Sequence, residues 1–163
     1  MPLNNHTINK QNSNIMDTQK HQISALNELL EKNYDAAKGY KTASENVKNP
    51  QLKSFFNSRS TQRAQFAHEL SSEIENMNGE PTESGSVAGS LHRAWMDMKS
   101  SFSGDESEAI LEECIRGEKA SVENYREVMK DNDIPASTKN RLSEQVQKVE
   151  TMLDEVKTLE DLQ

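Results

Sequence analysis

A chain of 163 residues has the size of one domain and can bury roughly 70% of the surface its unfolded form exposes. An apolar fraction of 33% and a mean hydropathy of −0.92 are lean for a sheet protein but suit long amphipathic helices, where about three positions in seven need be apolar. The net charge of −8 and the single cysteine exclude a basic nucleic-acid or anionic-membrane surface, an internal disulfide and a thiolate metal cluster.

Residues 1–19 are rich in Asn, Gln, Thr, Ser and Lys, a composition that buries too little to offset ordering entropy, so a flexible polar tail is expected before a domain over 20–160. This N-terminus lacks the basic and apolar regions of a signal peptide. With no apolar run of roughly 18 residues to span a membrane, the expected location is cytoplasmic. A first long helix is predicted from about Thr18 to Lys48, on the stripe Ile23, Leu26, Leu30, Asn33, Ala37, Tyr40, Ser44 and Val47, whose steps of three and four suit a bundle helix. Asn33 is its polar anomaly.

Pro50 favours a new helix start, and Asn78-Gly79 is a stop signal. Between them runs the stripe Leu52, Phe56, Arg59, Arg63, Phe66, Leu70, Ile74 and Met77. Arg59 lies near the helix start and can snorkel out to water. Arg63, mid-helix and flanked by Gln62 and Gln65, has less freedom to do so.

A turn-rich break at 79–86 precedes a shorter predicted helix over 85–102, carrying Val87, Leu91, Trp95, Met98 and Phe102, with His92 and Arg93 beside its apolar edge. It reads as a crossover along the outside of the bundle, with Ser103 or Asp105 as N-cap for the next helix. That third long helix, 105–131, carries Ile110 or Leu111, Cys114, Glu118, Ser121 or Val122, Tyr125 and Met129 on one face. Glu118 stands where Leu or Ile belongs, and a carboxylate facing a core is costly unless it is paired, hydrogen-bonded or metal-bound. After the stop at Asn132-Asp133-Ile134-Pro135, a fourth helix from about Ala136 to Thr158 runs on Leu142, Val146, Val149, Leu153 (or Met152) and Val156, with no polar interruption expected.

The halves echo each other. Tyr40 precedes Pro50 by ten residues, Tyr125 precedes Pro135 by ten, and seven residues before each Tyr stands its helix's anomaly, Asn33 or Glu118. Seven residues is about two turns, so each anomaly shares a face with its Tyr. Two helical hairpins joined by a long crossover predict an all-α, up-down four-helix bundle with pseudo-twofold symmetry.

Gly117-Glu118 with Tyr125, and the Asn33 to Tyr40 spacing, resemble the ferritin-like superfamily and its rubrerythrin-like bundles. The stretches Asp35-Ala36-Ala37-Lys38-Gly39-Tyr40, Leu91-His92-Arg93-Ala94-Trp95 and Glu113-Cys114-Ile115-Arg116-Gly117-Glu118 resemble more closely an uncharacterised bacterial family of ferritin-like bundles. In metal-bearing members of the superfamily one helix of each hairpin supplies a Glu and the other a Glu-x-x-His pair. The resemblance places those positions on Glu118, on neutral Asn33, near Gln62 and Gln65 or Arg63 and Phe66, and near Val149 and Met152 or Gln147 and Glu150. None of these is a Glu-x-x-His pair, and the fourth helix has no histidine.

A guanidinium in such a layer would repel a cation, so no cofactor is expected and Glu118 reads as the remnant of a lost metal position. The expected replacement is a buried polar layer of Asn33, Tyr40, Gln62, Arg63, Glu118 and Tyr125, with a bidentate Arg63–Glu118 ion pair at its centre. Arg59 is the substitute if the helices are offset by a turn. The competing reading has Arg63 and Glu118 both snorkelling to solvent.

The functional expectation is a non-enzymatic bundle, stress-related, acting through a homodimer or another protein partner and not through nucleic acid or a membrane. Trp95, Met96, Met98 and Phe102 are a candidate partner surface or simply core. The alternative is an iron- or manganese-binding rubrerythrin-like protein or oxidoreductase, with ligands such as Glu118, Glu150, Asp35 and His68. No phosphate loop, nucleophile elbow or CxxC motif points to another enzyme class.

Overall fold

Four amphipathic stripes have to hide from water together, and the helices that carry them do so around one axis. The computed structural model describes residues 2, 4–85 and 107–161. Its helices are α1 (Asn5–Asn46), α2 (Pro50–Asn76), α3 (Ser107–Lys130) and α4 (Ala136–Asp161). This is the all-α four-helix bundle of two hairpins that the sequence predicts. The crossover helix expected over 85–102, with His92, Arg93 and Trp95, and the expected caps Ser103 and Asp105 lie outside the described residues.

The helix directions follow from which residues meet. Ser60 of α2 donates to the Ala37 carbonyl of α1 (2.8 Å), and Gln19 donates to the Met77 carbonyl, so α1 and α2 are antiparallel. Tyr125 of α3 meets Gln145 of α4, while Arg59 of α2 reaches Glu155 (3.1 Å) and Glu73 meets Thr138. Thus α4 runs antiparallel to both α3 and α2. Consequently α2 and α3 point the same way, so the end of α2 and the start of α3 lie at opposite ends of the bundle.

Local chemistry sets the ends of the elements. The Asn49 side chain accepts hydrogen bonds from the amides of Gln51 (2.8 Å) and Leu52 (3.3 Å), which satisfies two of the orphan donors of α2 just before Pro50. At its other end the Gly79 amide donates to the Ile74 carbonyl and the Asn78 amide to the Glu75 carbonyl (both 2.9 Å). This is a Schellman stop. The left-handed residue is Asn78, with φ of 57°. Gly79 serves a different need, because a Cβ there would lie 2.9 Å from the Ile23 side chain.

One boundary differs from expectation. α1 begins at Asn5 and not near Thr18, so the segment expected as a flexible tail is a helical extension. Helix propagation adds one hydrogen bond per residue fixed, and the packed part of α1 provides the costly nucleus. Its residues before Thr18 are exposed.

The core divides into two apolar clusters. One gathers Leu26, Leu30, Phe66, Leu70, Ile74, Leu142 and Val146. The other gathers Val47, Leu52, Phe56, Ile110, Leu111 and Val156. Arg63 and Glu118 are buried at the level between them.

Candidate functional site

The anomalies Asn33, Arg63 and Glu118 all sit on core stripes, and their burial follows from that placement. Arg63 and Glu118 keep only 2% and 3% of their side-chain surface exposed, and Arg63 Nη2 lies 2.6 Å from Glu118 Oε2. The two therefore do not snorkel. The pair is single-pronged where a bidentate one was expected, because Arg63 Nη1 and Glu118 Oε1 are turned to other partners, while the buried Arg63 Nε has no hydrogen-bond partner among the described residues. Arg63 Nη1 donates to Asn33 Oδ1 (2.8 Å), Nη2 also donates to Ser121 Oγ (2.9 Å), and the Tyr40 hydroxyl donates to Glu118 Oε1.

The repeat appears here as a crossed exchange. Asn33 Nδ2 donates to the Tyr125 hydroxyl (2.8 Å), while Tyr40 donates to Glu118. Because α1 and α3 are antiparallel, the seven-residue interval in each helix brings the Tyr of one half to the anomaly of the other. The Tyr125 hydroxyl donates in turn to Gln145 Oε1 (2.7 Å), and Gln145 Nε2 donates to Glu69 Oε2 (2.7 Å). A continuous polar chain thus runs from the buried ion pair toward the half-buried Glu69.

Two expectations are corrected. Gln62 is not in the layer but half-buried, accepting from Arg59 Nη1 (3.3 Å), since one residue of helix turns it well away from Arg63's direction. The face of α4 is not free of polar groups, because Gln145 is 1% exposed. Its signal was legible: it lies three residues after Leu142 and beside Val146, on the inward arc. Ser121 was one of two candidates for its turn, and it reaches the layer while Val122 fills the apolar position. Arg59 behaves as a snorkelling residue, its guanidinium over the Phe55 ring (5.1 Å) and paired with Glu155 at the surface.

Burial raises the Tyr40 hydroxyl well above its ordinary range, with the Glu118 charge adding to the effect. Burial likewise pushes Tyr125 up to about 12, against the pull of Arg63. For Arg63 desolvation works toward losing the proton, but the charge of Glu118 and its hydrogen bond outweigh it, so its pKa is raised. The buried Cys114 thiol is raised well above the usual range by burial and by the charges of Glu118 and Glu113, so it is held as an inert thiol and not as a nucleophile. The layer therefore holds a fixed guanidinium, a carboxylate and two protonated phenols.

Residues 21–131 match the family model described as a domain of unknown function (DUF2383). The chain belongs to that family. Comparison of this family member's sequence with curated proteins gives no match. Its fold is similar to solved ferritin-like structures. Against a bacterioferritin of Desulfovibrio desulfuricans, whose structure is described with its diiron site, the TM-score is 0.75 at 16% identity, covering 89% of this chain and 81% of that one. A DPS protein from Vibrio cholerae O1, described as one of a broad superfamily of ferritin-like diiron-carboxylate proteins, gives 0.69 at 14% identity, covering 88% and 91%. A ferritin-like diiron-carboxylate protein from Bacillus anthracis gives 0.57 at 22% identity, covering 88% and 93%. At these identities the likeness is one of fold.

The residues of this DUF2383 layer do not fit a pair of metal ions. Iron sites of this fold draw on carboxylates and imidazoles from all four helices, whereas here one carboxylate faces a guanidinium, an amide and two phenols. Glu150 pairs with Arg126 at the surface, Asp35 lies against Gly85 and His68 is exposed, so none of the alternative ligands joins Glu118. Among the described residues no cluster of three or more His, Cys, Asp or Glu side chains is placed to hold a metal.

Proposed function

We propose that this protein is a non-catalytic ferritin-like scaffold whose central layer uses Arg63 as a permanent internal cation where relatives of the fold use metal ions. The observation that carries this reading is the buried contact of Arg63 Nη2 with Glu118 Oε2 at 2.6 Å, supported by the hydrogen bonds of Asn33, Ser121 and Tyr40. A guanidinium in every molecule stabilises the carboxylate without any dependence on metal supply. It offers no open coordination position and no redox chemistry. The activity of such a bundle lies on its surface, toward protein partners, in the cytoplasm.

The test is metal analysis of protein expressed in iron-rich medium, with the Glu118→Ala variant alongside. The reading expects no stoichiometric metal and a markedly lower melting temperature for the variant. Iron or manganese bound at one or two per chain, lost in Glu118→Ala, would overturn it in favour of a metal-binding, rubrerythrin-like oxidoreductase, the reading that the likeness to bacterioferritin favours.

A further inference from the structure

Of the asparagines in the sequence only Asn78 is followed by Gly, and the fold puts that pair at the stop of α2, where neither the polar layer nor the scaffold reading uses it. An Asn-Gly peptide carries a chemistry of its own. The Gly nitrogen can attack the carbonyl carbon of the Asn side chain, because no Cβ on Gly crowds the approach.

In the folded chain the reacting atoms are held apart. Asn78 is exposed, so its side-chain amide is open to water. The nucleophile is engaged instead: the Gly79 amide donates to the Ile74 carbonyl (2.9 Å), and Asn78 holds the left-handed turn at φ 57°. Ring closure requires the Gly79 nitrogen to lose its proton and to swing round to the Asn78 side chain. Both steps break its bond to Ile74. Contacts from α1 on either side of the pair resist that swing. Gln19 donates to the Met77 carbonyl (2.5 Å), Asn27 Nδ2 donates to the Glu80 carbonyl (3.1 Å), and the Thr82 amide donates to Asn27 Oδ1 (2.8 Å). Gly79 itself lies so near Ile23 that a Cβ would meet its side chain at 2.9 Å.

We propose that Asn78-Gly79 is a covalent modification site guarded by α1, unreactive while the end of α2 is clamped and deamidated when that end opens. Hydroxide takes the Gly79 amide proton, and the nitrogen bonds to Asn78 Cγ. The Cγ–Nδ2 bond breaks, ammonia leaves with a proton from water, and a cyclic imide remains. Water then adds at either imide carbonyl and cleaves its bond to nitrogen, leaving aspartate or isoaspartate. Both products put a new negative charge at the C-terminus of α2, which the helix dipole disfavours, in a segment that already carries Glu75, Glu80 and Glu83. Isoaspartate also lengthens the main chain by a carbon, which spoils the spacing of the Gly79-to-Ile74 bond. The modified end does not close again, so the site records that the cap has opened.

Peptide mapping by mass spectrometry on the full chain tests this, after incubation in mildly alkaline buffer with and without guanidinium chloride. A reaction confined to the open state proceeds at the intrinsic rate times the open fraction. The folded parent is expected to deamidate at position 78 about tenfold or more slowly than the unfolded parent. Asn27→Ala, which releases Glu80 and Thr82, should speed the folded reaction several-fold and leave the unfolded rate unchanged. Hydrogen exchange at the Gly79 amide should accelerate in step. Near-ultraviolet circular dichroism checks that the variant is folded, and Gln19→Ala, which frees the Met77 carbonyl, replaces it if it is not. Asn78→Gly suits the left-handed turn, lacks the reacting side chain and should give no product. Equal rates in the folded and unfolded parent overturn the proposal, as do a folded rate indifferent to loss of the clamp and an unfolded chain that spares position 78.

Discussion

Glu118 has both carboxylate oxygens occupied, one by Arg63 and one by Tyr40, and Arg63 extends the network to Asn33 and Ser121. Removing either charge leaves the other buried without a counter-charge. Arg63→Ala and Glu118→Ala are each expected to cost about 3–5 kcal/mol in urea unfolding. The double replacement Arg63→Met/Glu118→Leu removes both charges together and should cost less than the sum of the single changes, a shortfall read directly from a double-mutant cycle. Tyr40→Phe leaves Glu118 Oε1 without its donor and is expected to cost about 1–3 kcal/mol. If all three single variants melt with the parent, the layer contributes nothing to folding.

Two glycines separate packing from propensity at the scale of the element. Gly117 lies inside α3, and a Cβ there meets nothing within 4 Å. Gly117→Ala should therefore stabilise the protein by roughly 0.5–1 kcal/mol, through reduced freedom of the unfolded chain. Gly79→Ala should act in the opposite direction, because its Cβ would press on the body of the Ile23 side chain at 2.9 Å. Thermal melts of the two variants should shift with opposite signs. The cap at Asn49 belongs to the same scale. Asn49→Ala removes the acceptor for the Gln51 and Leu52 amides and should cost about 1 kcal/mol.

At the scale of the whole molecule the polar layer divides one core into two apolar clusters, and its protonation state becomes a property of the fold. Tyr125 ionises near pH 12 when folded and at about 10 when unfolded. Between those values the unfolded state has released a proton that the folded state retains, so stability falls as pH rises. The stability that Tyr125 contributes is complete below about pH 10 and lost by about pH 12, amounting to roughly 3 kcal/mol. Tyr40 is shifted in the same direction and steepens the decline. Urea unfolding followed from neutral to alkaline pH should show this loss, reduced in Tyr125→Phe. A flat profile would contradict the enclosure of the phenols.

The periodic stripes, the Pro and Asn boundaries and the misplaced Asn33, Arg63 and Glu118 determine that four long helices form and that three polar groups enter the core. Period and chemistry are local, and a single sequence carries them in full. The tertiary structure alone decided which groups meet. The antiparallel crossing of α1 and α3 exchanges the tyrosines between the halves, and the approach of α4 brings in Gln145 while Gln62 faces outward. It also decided that the Arg63–Glu118 contact is single-pronged, since competition from Asn33, Ser121 and Tyr40 depends on distances between helices, which no spacing along the chain encodes. The same division holds for the beginning of α1. Composition gives the first residues too little apolar surface to fold on their own, and only the continuous helix shows that their few apolar side chains extend the core face beyond the bundle.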